Sequence, residues 1–133
     1  MVFDDTEYNR WLKQAKNTLE GANKDLESSQ FNWACFKAHQ ATEFALKAIL
    51  YGFGNTPFGH SLRNLGLKLS QIKNIDISEI YDCILLLDRH YIPTRYADSF
   101  SEGAPFEYYT EKDAIEAIEC AKKIMKFIEE MRK

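Results

Sequence analysis

Five alanines, Ala34, Ala38, Ala41, Ala45 and Ala48, recur at alternating spacings of four and three residues. At about 100° per residue, that spacing places all five methyl groups on one side of an α-helix. A seam of such small side chains lets a neighbouring helix approach closely and admits few other packings. The helix is predicted over residues 31–51, with Ile49 at the edge of the seam. Its opposite face carries His39, Gln40, Glu43 and Lys47, which makes it amphipathic. Glu43 and Lys47 stand one turn apart in the order that favours an ion pair, and His39 lies one turn before them. A solvated stabilising face is the simple expectation for this stripe. The sharper one makes it a wall of a cleft.

The rest of the chain repeats the helical period. Trp11, Ala15, Leu19, Ala22 and Leu26 mark a first helix over 6–28, with Asp4, Asp5 and Thr6 as cap candidates. Leu62, Leu65 and Leu69 mark a short helix over 61–70, weakened by Gly66. Ile77, Ile80, Ile84, Leu87 and Tyr91 mark a fourth. Asp76 and Glu79 suggest a capping box at its start, and Pro93 ends it near Ile92. Ala114, Ile118, Ala121, Met125 and Ile128 mark a last helix, from Thr110 with its Asp113 partner to about Met131. No strand pattern or repeat intervenes. The expected fold is all-α: one domain over 1–133, an up-and-down bundle of four long helices plus one short one. The aperiodic stretch 93–109 is long for a loop in a compact domain. Its aromatics, Tyr96, Phe100, Phe106, Tyr108 and Tyr109, predict that it lies on the bundle.

The formal net charge of −3 provides no global attraction for nucleic acid, so any such binding needs a local patch. Cys35, Cys83 and Cys120 are odd in number, widely spaced and embedded in apolar helical faces. They read as small core side chains in a reducing compartment. The acidic N-terminus lacks a signal pattern, and the most apolar stretch, 48–58, is broken by Gly52, Gly54 and Pro57. A cytoplasmic protein without a membrane partner is expected. His39, His60 and His90 have no metal-site spacing, and no Gly-rich phosphate loop is present, so no metal or cofactor is expected.

Three segments together resemble the HEPN family. Residues 34–48, ACFKAHQATEFALKA, are similar to its second-helix signature. Gly59-His60-Ser61-Leu62 resembles the opening of its next helix, and residues 91–98, YIPTRYAD, resemble the Tyr-x-Pro-Thr-Arg-Tyr-Pro-Asp of one prokaryotic branch. Ala97 replaces the usual proline, and Thr42 a usual small residue. The resemblance implies a helical bundle that pairs into a homodimer. It also implies nucleotide or RNA binding, RNA cleavage, or partnership with a minimal nucleotidyltransferase in toxin-antitoxin-like pairs.

The family's ribonucleases carry an Arg followed four to six residues later by His. Here Arg89 is followed at once by His90, and Arg95 by no His at all. No catalytic residue is therefore assigned, although Arg89, His90 and Arg95 could serve in another geometry. Arg95 is the leading ligand-binding candidate, since a guanidinium can grip phosphate bidentately while neighbouring Tyr96 stacks on a base. Asp98, Glu43, Lys47, His39 and His90 complete the candidate set. The structural alternative for Arg95 is an ion pair with Glu43 that pins the loop. For His60 it is a hydrogen bond at the start of the third helix. Three functions follow: a nucleotide- or RNA-phosphate-binding module that docks a nucleotidyltransferase, a metal-independent RNA endonuclease, or a ligand-free interaction protein.

Overall fold

All five alanines of the seam are fully buried, and the face they form receives the first and last helices. The computed structural model describes residues 2–72 and 74–133. Its helices are α1 (Asp5–Glu27), α2 (Phe31–Gly52), α3 (Leu62–Gln71), α4 (Ser78–Asp88) and α5 (Glu111–Arg132). Single 3-10 turns lie at Ala97–Ser99 and Pro105–Glu107, and the described residues contain no strand. The chain is an all-α bundle with α2 at its centre. Ala15 and Ala22 of α1 and Ala114, Ala117 and Ala121 of α5 are also fully buried, so small residues line the buried faces of α1 and α5 as well.

Local chemistry sets most helix ends. Asp4 Oδ1 accepts from Glu7 N at 3.1 Å, and Thr110 and Asp113 exchange the two bonds of a capping box. Ser29 takes a left-handed backbone (φ 61°) and turns α1 into α2. Gly66, a weak helix former, is buried where Ile84 of α4 lies against α3. A Cβ there would meet Ile84 Cδ1 at 2.8 Å.

Three expectations are corrected. Asp76 accepts from Ser78 N at 2.9 Å rather than boxing with Glu79, because α4 begins two residues after Asp76, at Ser78. The helix ends at Asp88, short of Ile92. Thr94 Oγ1 donates to the His90 carbonyl at 2.8 Å, and Asn32 Nδ2 to the Thr94 carbonyl at 3.0 Å, so these residues form a pinned turn against α2. Cys83 and Cys120 are not separate core thiols: α4 lies on α5 and they join in a disulfide, with Cα atoms 5.1 Å apart. Only Cys35 remains a buried thiol, and burial pushes it up to about 12. The 93–109 stretch is divided. Thr94 and Pro105 are buried, Tyr109 is half-buried, and Phe100 and Tyr108 stack on each other at 4.1 Å. Tyr96 and Phe106 stay largely exposed. No helix among the described residues is long and apolar enough to cross a membrane.

Candidate functional site

The polar stripe of α2 is not solvated. His39 is fully buried, Glu43 is 2% exposed and Lys47 8%. The reason is tertiary: residues from the 53–61 connection and the turn after α4 lie over this face, and Trp11 of α1 stands over Lys47 Nζ at 6.0 Å. Charges taken from water need partners, and the two oxygens of Glu43 are divided accordingly. Oε2 accepts from Lys47 Nζ at 3.0 Å, and Oε1 lies 3.0 Å from His60 Nδ1. A carboxylate can only accept, so Nδ1 carries the hydrogen and Nε2 is the unengaged nitrogen of a ring that remains 54% exposed. His60 is therefore not the helix-start hydrogen bonder. Ser61 Oγ performs that task, accepting from Asn64 N at 3.1 Å.

Asp88 stands at the end of α4. Its carboxylate accepts from Leu62 N at 2.8 Å and Arg63 N at 3.0 Å, capping α3 from another helix. His39 Nε2 faces Asp88 Oδ1 at 3.5 Å, an electrostatic contact too long for a strong hydrogen bond. Burial opposes ionisation of Asp88. The facing imidazole and the two backbone donors outweigh it and hold the carboxyl below its ordinary range. The α3 N-terminus is thereby already satisfied.

Tyr91 stands at the centre of the aromatic side of the site. His60 stacks on it (4.8 Å, 20°), His39 lies 4.9 Å away and Phe36 6.0 Å. Arg95 does not pair with Glu43. Its Nε and Nη2 donate to the Tyr91 carbonyl at 2.9 and 2.6 Å, and its guanidinium lies over the rings of Phe36, Tyr91 and Tyr96 at 4.1, 4.7 and 4.9 Å. This geometry makes Arg95 a pin for the 91–96 turn. Arg95→Ala is expected to cost about 1.5–3 kcal/mol, from the charged hydrogen bonds and ring contacts together. Arg95→Lys should recover only part, because lysine lacks the planar fork. Urea unfolding of both variants checks this, and an unchanged midpoint would free Arg95 for ligand.

Beside this cluster lies a cleft of about 580 Å³ walled by His60, Ser61, Asp88, Arg89, Tyr91, Ile92 and Pro93. A smaller hollow of about 250 Å³ shares His60 and Ser61 and continues past Phe58 to Lys68. The exposed Arg89 side chain makes no hydrogen bond or ion pair among the described residues. His90 turns the other way, its ring 5.7 Å from Tyr109. Burial lowers the His90 pKa, and Nδ1 has no hydrogen-bond partner among the described residues. Burial likewise pushes Tyr109 up to about 12. Asp98 is exposed on its 3-10 turn, apart from the network.

The seven candidate residues thus separate. Glu43 and Lys47 form a buried ion pair, His39 is buried separately against Asp88 and Tyr91, Arg95 and Tyr96 share a stacked turn, and His90 and Asp98 join none of these. The cleft's own groups, His60, Asp88, Arg89 and Tyr91, are not legible as a site in the sequence, because no spacing links them. The described residues contain no group of three His, Cys, Asp or Glu side chains able to hold a metal ion.

The HEPN domain model matches residues 8–131. This chain belongs to the HEPN domain family. The HEPN bundle is shared with solved structures of thermophilic proteins. TT1696 from Thermus thermophilus is 36% identical, with TM-score 0.88, covering 93% of this chain and 97% of that one. ST0689, an archaeal HEPN homologue, is 37% identical, with TM-score 0.80 and coverage of 96% and 99%. A HEPN domain protein from Thermotoga maritima is 33% identical, with TM-score 0.72 and coverage of 92% and 96%. Human sacsin is 26% identical over 129 residues, and the match spans 90% of this chain but 3% of sacsin's length.

Proposed function

We propose that this HEPN domain is a binding module for the phosphate of a nucleotide or RNA, held in the cleft by Arg89 and His60. The observation that carries the reading is the Arg89 guanidinium, unpaired among the described residues, beside a half-exposed imidazole. The surrounding wall is largely apolar, from Tyr91, Ile92 and Pro93, and suits a nucleoside. Asp88, the one carboxylate in that wall, is committed to the α3 backbone and so opposes an anion less than a free carboxylate would. The divergence of Arg89 and His90 favours binding over cleavage, because a metal-independent nuclease needs its base and its cation on the same phosphate.

Arg89→Ala should weaken binding of nucleotides and short RNAs about tenfold to a hundredfold, the loss of one charge-assisted contact. Its melting temperature should stay near that of the parent, since the side chain is exposed and makes no bond among the described residues. Titration followed by intrinsic fluorescence measures both proteins. Equal affinities would remove the cleft from consideration.

A further inference from the structure

We infer that His60 takes up a proton on binding and selects a terminal phosphate monoester, with Glu43 as the positioning residue that sets its ring. The inference rests on the binding reading above and deepens it.

Glu43 is 2% exposed and its oxygens are shared between Lys47 and His60. The ring therefore cannot turn over without stripping a buried carboxylate of one partner, and its stacking on Tyr91 holds its plane. Nδ1–H is held inward. Nε2, the other nitrogen of this half-exposed ring, is a lone-pair acceptor when the ring is neutral and repels a phosphate oxygen. When protonated it donates. An anion in the cleft therefore selects the imidazolium.

Charged groups of both signs surround the ring: Glu43 and Asp88 are acidic, whereas Lys47 behind Glu43, Arg89 in the cleft and Lys68 in the smaller hollow are basic. His39 lies on the Tyr91 ring and faces Asp88, tempering the latter. An arriving phosphate adds negative charge beside the ring. A monoester carries roughly −1.5 to −2 at pH 7 against a single charge on a diester. Two adjacent cations, Arg89 and protonated His60, match the monoester.

The sign follows directly. Ligand binding raises the imidazole pKa, so affinity is highest below the free ring's pKa and falls as pH rises through and above it. Isothermal titration with three probes tests this: AMP, ApA with only an internal diester, and pApA with a terminal phosphate. Working between about pH 7.0 and 8.5 keeps the ligand phosphate mostly dianionic, its second pKa being about 6, so proton uptake reports the protein. Comparing buffers of low and high ionisation enthalpy counts the protons.

The expected result is AMP bound at least about tenfold tighter than ApA, with proton uptake and affinity falling by up to roughly tenfold per pH unit. His60→Asn should abolish the uptake per folded molecule. Glu43→Gln should reduce the uptake per folded molecule even where it lowers the melt. Binding of pApA like AMP assigns the ligand to an RNA end, and binding of AMP alone to a free mononucleotide. AMP and ApA bound equally, or AMP bound without proton uptake, would overturn the inference and leave the Arg89 reading standing. If none of the three binds, both fail.

Discussion

Glu43→Ala should destabilise the domain by about 3–5 kcal/mol, the cost of breaking a buried ion pair by removing one partner. Glu43 has 2% side-chain exposure and Lys47 10%, and the carboxylate is the hydrogen-bonding partner of the ammonium at 3.0 Å. Alanine leaves Lys47 charged beneath Trp11 with no compensating group, and it frees His60 from the bundle. Glu43→Gln, which keeps the shape and one acceptor, should cost less. A second substitution, Lys47→Met, should recover much of the alanine loss, because it removes the stranded charge. Denaturant midpoints for the three proteins form the test. A loss under about 1 kcal/mol in Glu43→Ala would mean that Lys47 reaches water as a surface pair does.

Reducing the Cys83–Cys120 bond should lower stability by about 3–4 kcal/mol on the chain-entropy argument, for a cross-link spanning 37 residues. The bond ties α4 to α5, and α4 is an 11-residue helix whose end carries Asp88 to the α3 cap. Melts with and without a dithiol reductant, compared with Cys83→Ser, measure the effect. Thiol labelling adds an internal check. After reduction, Cys83 and Cys120 should react well before Cys35, whose burial keeps its thiol protonated up to about 12. Identical melts, with three thiols counted before any reductant is added, would show that the two sulfurs are not joined.

The bundle is legible because its signals are local. The alanine spacing on α2, the Leu and Ile periods elsewhere, and the Thr110–Asp113 box each depend on residues within one or two turns. The same rules misread the His39–Glu43–Lys47 stripe. A polar face opposite an apolar seam is ordinarily solvated, and nothing within α2 reveals that other segments cover it. Pro93 is a sound stop signal, yet α4 ends earlier, because Asp88 turns its carboxylate to α3 and the following residues are tied to Asn32 and Arg95. Arg95 stands out in the sequence as a ligand-binding candidate, and the structure shows its Nε and Nη2 donating to the Tyr91 carbonyl.

By itself the sequence determined the helical class, the buried seam of α2 and the family resemblance, since period and capping are properties of neighbouring residues. Only the tertiary structure decided which polar groups are buried and which cysteines meet. Glu43 and His60 are 17 residues apart, and Cys83 and Cys120 are 37 apart. No helical period relates such positions. Their meeting is set by how the connections lie across the bundle, and burial then turns an ordinary Glu–Lys face into a buried ion pair that also holds His60.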